Sequence, residues 1–460
     1  MKPLVAWLER RFDLYARGTT LRREVLGGLT TFMTMGYILF ANPAILCGVA
    51  DPRGTTLAPA AVLTSTALVA ALATALMGLL ADVPLALAAG MGLNAVVAWG
   101  LVGGLQLTWP EAMGVIVVEG AAILLLVLSG LREAVFHALP DPLKRGIAVG
   151  IGLFLTLIGL VNAGFVTRPA APDAPPVQLG TGGHLTGWPA LVFVLGFLLT
   201  AALLIRRVRG AFLLGIAGTT ALAIAVNAST GGTAWPAPVA RLPERLLAAP
   251  DLSLLGSFSF EFVTRLGATT AALTVLAVML SDFFDTMGTV VAVGQRAGFV
   301  TPTGDVPRAR SILMVDSLAA ILGGLSGSSS ATSYIESASG VAAGGRTGLT
   351  ALVCAGCFLL SVGLAPLAGL IPPQATAPVL VLVGFLMLTE MARIPWEEPL
   401  EAIPAFLALV VMPFTWSITN GIGAGVVAHA ALRTLAGRPD QVHPLLWACA
   451  AAFVLHFVRG

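Results

Sequence analysis

Charge is scarce in this chain: Asp, Glu, Lys and Arg make up 10% of its 460 residues, against 57% hydrophobic residues and a mean hydropathy of +0.92. Soluble domains carry about 25% charged residues, so a water-soluble globule is excluded and a polytopic membrane protein is indicated. Cysteine is equally sparse, with four residues. Cys47 and Cys449 lie far apart and the Cys354-x-x-Cys357 spacing sits in an apolar run, so they read as packing residues rather than a disulfide framework or a redox or zinc pair. No complete phosphate-loop pattern occurs between Gly294 and Gly304, and ATP use is not implied. The first 24 residues hold no short apolar core before a small-residue cleavage site, so no cleavable signal is expected. With Lys2, Arg10, Arg11, Arg17, Arg22 and Arg23 they read as a cytoplasmic, partly amphipathic arm.

What the chain has in abundance is apolar runs of roughly 18 to 25 residues, the length that crosses about 30 Å of hydrocarbon. Spans are expected near 25–46, 58–80, 84–104, 111–130, 142–164, 188–205 and 210–229. A second set follows near 267–290, 308–325, 328–342, 346–370, 374–392, 399–417 and 418–435. With the N-terminus inside, 19 of the 25 basic residues fall on the cytoplasmic side and five outside, with Arg459 unassigned. That bias fits a multi-pass protein of a cytoplasmic-type inner membrane. Residues 443–459 hold about 14 apolar residues, short for a crossing, and are expected to form an interfacial helix.

The Pro- and Gly-rich segments 165–187 and 230–265 then lie outside, where water can satisfy their backbone. The second divides the chain into two sets of seven spans, and because seven is odd the sets have opposite orientation. Each set has a short, interrupted span in third place: PLALAAGMGLNAVVAWG at 84–100 and the Ser-rich stretch at 328–342. Paired broken spans in inverted halves point to a transporter's substrate site.

Acids at membrane depth are costly and are functional candidates by default. Five are expected there: Glu119, Asp282, Asp285, Asp316 and Glu336, with no Lys or Arg clearly inside a span. Without cationic partners, such carboxyls must take up protons, accept hydrogen bonds, bind a cation or bind a donor-rich substrate. Asp282 and Asp285 are three apart and share a helical face, although either could instead bond a neighbouring backbone amide. Glu119 and Asp316 are expected to support the site segments by hydrogen bonding or to relay protons.

Glu336 is set in SGSSSATSYIESASGVAAGGRTGLT at 326–350, too polar and Gly-rich for an ordinary membrane helix. Non-helical backbone at this depth is tolerated where it lines a cavity or is buried in protein, and the start of a half-helix adds a positive dipole end. Small-residue packing accounts for Gly340 and Gly344 but not for the glutamate. The matching segment carries Gly90, Gly92 and Asn94, whose amide can either donate and accept toward a ligand or join two helices.

The motifs GMGLNAVVAW (90–99), DFFDTMGTVVAVGQRAGF (282–299) and SATSYIESASGVAAGGRTGLTAL (330–352), with REVLGGLTTFMTMGYILFANPAIL (23–46), carry a resemblance. They resemble the AzgA-like adenine, guanine and hypoxanthine permeases of the nucleobase-ascorbate (xanthine/uracil) transporter superfamily, over about residues 20–436. The resemblance implies an all-α polytopic membrane fold of seven plus seven inverted spans, with short strands in the third and tenth. It implies a core domain (22–136 and 266–371) and a gate domain (137–230 and 372–436). Around these lie the arm (1–21), an extracytoplasmic loop (231–265) and a C-terminal tail (437–460).

It also implies a homodimer that moves core against gate and imports a purine, and the buried acids without basic partners point to uptake by proton symport. Carried over by motif, Glu336, Asp282 and Asn94 would bind the base, with Ser330, Thr332, Tyr334 and Phe283 beside it. Phe284 and Phe32 are further stacking candidates, while Asp285, Glu119 and Asp316 would serve proton coupling or support. A carboxylate can pair with adjacent purine N–H groups while other donors meet the ring acceptors. No cofactor, metal or nucleic acid is expected.

Other classes fit poorly. An intramembrane aspartyl protease would carry Gly-x-Gly-Asp, whereas Gly304-Asp305 lies in a loop, and a serine protease at Gly327-Ser328 would need a membrane-depth His, with only His429 near. The stronger alternative, an anion transporter or channel on the same fold, would place a basic residue where the third and tenth spans meet, and none is there.

Overall fold

The computed structural model describes residues 7, 9–129, 139–169, 176–235, 239–240, 245, 247–298, 308–367 and 369–459, without every side chain in 284–296 and 456–459. It is a helical assembly in which, among the described residues, eight helices are long and apolar enough to cross a membrane.

In chain order the helices of the first half are α1 (Leu21–Met35), α2 (Ile38–Leu46), α3 (Pro59–Leu76), α4 (Met91–Ala95), α5 (Trp109–Ser129), α6 (Asp141–Asn162), α7 (Gly187–Ile205) and α8 (Ala211–Ser229). After a short α9 (Phe262–Leu266) come α10 (Ala268–Ala297), α11 (Ala309–Leu325), α12 (Ser337–Ala342), α13 (Gly348–Ser361), α14 (Pro373–Met387), α15 (Pro399–Thr415), α16 (Ile418–Leu435) and α17 (Pro444–Arg459).

Two strands interrupt this helical order at depth. β1 (Leu87–Ala89) pairs antiparallel with β4 (Ala331–Ser333) in the register Leu87↔Ser333, Ala88↔Thr332 and Ala89↔Ala331. A second hairpin joins β2 (Val166–Thr167) to β3 (Gln178–Leu179). The deep strands form where helix cannot continue. Pro84 disfavours helix in the residue before it, and Gly327 and Ser329 take left-handed conformations (φ 71° and 73°) after α11.

Extended backbone inside an apolar protein must find every partner internally. Beyond the ladder, Thr74 Oγ1 accepts from Leu87 N (2.9 Å) and donates to Leu87 O (3.0 Å). Tyr334 N donates to Ala86 O (2.9 Å), Ala86 N to Ser337 Oγ (3.0 Å) and Gly90 N to Ser330 O (2.9 Å). Each strand therefore hands over to a short helix, α4 or α12, that leaves the pair in the opposite direction.

Around the pair, α11 packs on α5, and α13 on both α1 and α3, while α6 packs on α14 and α15. The contacts run on small residues. A Cβ added at Gly384 of α14 would lie 2.1 Å from Thr156 Oγ1 and 2.3 Å from Gly152 O of α6. Such backbone-to-backbone approach is how membrane helices associate without a hydrophobic driving force between them.

The second Pro- and Gly-rich segment differs from the expectation of a water-satisfied loop. Ala248 N donates to Gly363 O (3.1 Å), Gly256 N to Leu325 O (2.8 Å) and Ser259 N to Pro110 O (2.8 Å). The segment thus bonds carbonyls of α5 (Pro110), of the last residue of α11 (Leu325) and of the turn after α13 (Gly363), closures that composition does not reveal.

Replacing Gly384 with Ala is expected to cost about 1–3 kcal/mol through overpacking. Gly356→Ala, where nothing lies within 4 Å of the added Cβ, should be neutral or slightly stabilising. Thermal unfolding of both variants in detergent checks the contrast.

Candidate functional site

The strand pair positions nearly all the polar groups singled out by the sequence. Behind β4, Asp316 of α11 accepts from the backbone N (3.0 Å) and Oγ (2.9 Å) of Ser333 through Oδ1, and from Thr286 Oγ1 of α10 through Oδ2 (2.7 Å). Thr286 Oγ1 lies 2.5 Å from Thr332 Oγ1, and since Thr286 donates to Asp316 the Thr332 hydroxyl supplies the proton of that second bond. Ser330 Oγ donates to Asp282 Oδ2 of α10 (2.9 Å). The Glu119 carboxyl of α5 is buried beside Asp282 and Ser330, and neither of its oxygens makes a hydrogen bond among the described residues. Three acids from three helices, all fully buried, thus converge on one short strand.

Glu336 stands apart from them, half-buried at the residue before α12. Its Oε1 accepts from the hydroxyl of Tyr37, at the break between α1 and α2 (2.8 Å). Tyr334 reaches across the strand pair, its hydroxyl donating to Ala89 O (2.5 Å). On the other half, Asn94 of α4 is fully buried, and neither its Nδ2 nor its Oδ1 has a partner among the described residues. Leaving such an amide unsatisfied costs about 1–3 kcal/mol, so its retention calls for an explanation.

The remaining candidates divide. Phe283 is buried in the main apolar cluster. Phe32 packs edge-on against Phe358 of α13, with ring centroids 5.1 Å apart. Asp285 and Phe284 lie outside the described side chains. Among the described residues no group of His, Cys, Asp and Glu could hold a metal ion.

Ion pairs sit away from this centre. Asp82 pairs with Arg17 (2.6 Å) and Arg308 (2.9 Å), Glu111 with Arg265 (2.9 Å) and Glu390 with Arg145 (2.8 Å). Among the described residues none of Glu119, Asp316 and Glu336 joins an ion pair; Asp316 and Glu336 are met by hydroxyl and amide donors instead, while Glu119 has no donor among the described residues.

Several residues in these networks were not singled out from the sequence. Glu24, assigned to the lead-in arm, is fully buried in α1. It accepts from Arg346 N (2.8 Å), Thr347 Oγ1 (2.8 Å), Thr350 N (3.1 Å) and Thr350 Oγ1 (2.7 Å), while Asp82 Oδ1 accepts from Gly348 N (2.9 Å). Both acids neutralise the N-terminus of α13. Asn42 donates to Thr66 Oγ1 (2.8 Å) and Ser328 O (3.1 Å), fixing the loop before β4. A polar Asn beside Pro43 in an apolar run was the available signal.

Comparison with known proteins agrees with this architecture. The Permease family model Xan_ur_permease matches residues 22–424. Adenine permease AdeP of Escherichia coli is 39% identical over 451 residues, covering 98% of this chain and 96% of that protein. Guanine/hypoxanthine permease PbuG of Bacillus subtilis is 36% identical over 451 residues, covering 97% of this chain and 98% of that one. Among solved structures, the transmembrane domain of the cyanobacterial bicarbonate transporter BicA superposes with a TM-score of 0.62 at 16% identity, covering 87% of this chain and 97% of that one.

Asp316→Asn places an amide where two donors from Ser333 now meet a carboxylate. A loss of about 1–3 kcal/mol of stability is expected, seen as a lowered thermal midpoint in detergent. Ser333→Ala should lose less, since its backbone N–H keeps one bond to Asp316.

Proposed function

The chain belongs to the xanthine/uracil-type permease family, a family of transporters and not of enzymes, and from that premise we propose that it imports purine nucleobases by proton symport. The observation that carries the reading is the pairing of β1 with β4, which sets a half-buried Glu336 on one half-helix and the unpartnered amide of Asn94 on the other. A neutral purine needs both kinds of group. The carboxylate takes ring or exocyclic N–H donors, while the amide supplies a donor for a ring nitrogen or carbonyl and an acceptor for a remaining N–H. Asp282 joins them in our reading, with Ser330, Thr332, Tyr334 and Phe283 forming the wall.

The substrate class is supported by the adenine and guanine/hypoxanthine permeases that match nearly the full length of the chain. The anion alternative is disfavoured by charge. Carboxylates with hydroxyl and amide partners surround the strand pair, and an anion there would meet repulsion where the observed ion pairs lie elsewhere.

Proton coupling follows from Glu119, Asp282 and Asp316 meeting on β4. Buried carboxyl groups side by side repel when both are charged, and a shared proton relieves that repulsion, so this cluster can hold and release one. Asp285 shares the helical face of Asp282 by spacing. We read the helices as fourteen spans in two inverted sets of seven, with the N-terminus cytoplasmic in an inner membrane. A core of α1–α5 and α10–α13 moves against a gate of α6–α8 and α14–α16, in a homodimer.

In a thermal-shift panel of purines and pyrimidines, a purine is expected to stabilise the purified protein. Glu336→Gln should abolish most of that shift, because an amide replaces one acceptor by a donor. Wild-type affinity in the Gln variant counts against the site. In proteoliposomes, an inward proton gradient should drive purine accumulation and a protonophore should collapse it. Uptake indifferent to both, with no proton movement, refutes the coupling.

A further inference from the structure

We propose that Tyr37 is a positioning residue that links occupancy of Glu336 to the packing of α8, which its ring contacts through Phe212. The inference rests on the purine-transport reading above.

Tyr37 touches both sides. Its hydroxyl donates to Glu336 Oε1 (2.8 Å), and its fully buried ring meets the ring of Phe212 edge-on, with centroids 5.2 Å apart and planes at 72°. Phe212 is the second residue of α8. One turn earlier in chain order on α1, Met33 O lies 2.7 Å from where a Cβ at Gly210 would stand, so the entry to α8 is pressed against the same stretch of the first span. Between these contacts the chain breaks, α1 ending at Met35 and α2 starting at Ile38. Tyr37 therefore sits where the backbone can adjust without bending a continuous helix.

The chemistry gives that contact a direction. A phenol donating to a full carboxylate makes a charge-assisted bond, stronger than one to a neutral acceptor. With the site empty, Tyr37 fixes the Glu336 rotamer and leaves Oε2 to a ligand. Purine N–H groups then draw on the same charge, the Tyr37 bond weakens, and the ring that Phe212 packs against is freed to shift. A ligand moves an equilibrium only by binding its two states differently. Tyr37 supplies that difference, since its bond is strong in one state and weak in the other.

The test uses full-length carrier, in detergent for purine binding and in proteoliposomes for uptake. Tyr37→Phe keeps the ring and removes a hydroxyl that bonds Glu336 more strongly in the empty site than in the occupied one, so Kd is expected to fall about tenfold. Phe212→Leu leaves the Tyr37–Glu336 bond in place. It should keep the wild-type Kd while turnover falls severalfold, a split that general destabilisation would not give.

A wild-type or raised Kd in Tyr37→Phe, or a loss of affinity equal to the loss of turnover in Phe212→Leu, overturns the role. Should Tyr37→Phe not fold, Phe212→Leu decides alone: selective loss of turnover sustains the link and unchanged turnover removes it. Wild-type protein that binds no purine overturns the transport reading and this role together, whereas purine binding that is indifferent to Tyr37→Phe overturns this role only.

Discussion

The antiparallel pairing of Leu87–Ala89 with Ala331–Ser333 is the constraint on which the rest of the structure depends. Extended chain among apolar helices has no water to turn to, so each N–H and C=O must be met by the ladder, a neighbouring side chain or a distant carbonyl. Thr74, Ser337 and Tyr334 are therefore structural necessities as well as neighbours of the site. The same pairing fixes the distance between halves of the chain more than 240 residues apart in sequence, because Tyr334 and Ala89 are joined by one hydrogen bond (|i−j| = 245). Close packing of the surrounding helices on glycine then limits how far either half can drift.

Once the strands are in place, the acids follow a common rule. A buried carboxylate is tolerable when donors surround it and expensive when they do not. Asp316 has three donors and Glu24 four of the bonds described, both holding a backbone segment in place. Glu336 has one donor from Tyr37 and remains half-exposed. The contrast separates Asp316 and Glu24, spent on architecture, from Glu336, whose half-exposed carboxylate has acceptor capacity to offer. Asn94 is the complementary case on the other half, a buried amide with its donors and acceptor uncommitted.

Much of this was legible in the sequence because cost is legible. Five acids and two interrupted segments in an otherwise apolar chain each violate the rule for a lipid-embedded helix, and four of those acids with described side chains lie on or next to the strand pair. Partners that violate no rule were not legible. Tyr37 is an ordinary aromatic in an apolar run, and nothing local indicates that its hydroxyl meets a glutamate 299 residues away. Glu24 sits among arginines and reads as part of a surface arm, yet the fold draws it over the start of α13. The loop at 247–259 looks solvated by composition, but its amides close onto helix-end carbonyls. In each case the deciding term is a tertiary hydrogen bond, which spacing and hydropathy do not encode.

The likeness to a bicarbonate transporter sharpens the distinction between scaffold and site. Paired half-helices around a short strand pair form a frame that either sign of ligand could use, since their exposed N–H groups and side chains can be arranged for anion or neutral base alike. What differs is the group set at the strand ends. Here the strand ends bring carboxylates and an amide, and the arginines that pair with Asp82, Glu111, Glu390 and Glu401 do so at other places. An anion brought to Glu336 would lose its hydration and gain a repulsive neighbour, whereas an uncharged heterocycle with adjacent N–H groups would trade water for a charge-assisted pair. On the proposed reading, the discrimination resides in the choice of acid at one position on a frame whose geometry is indifferent to it.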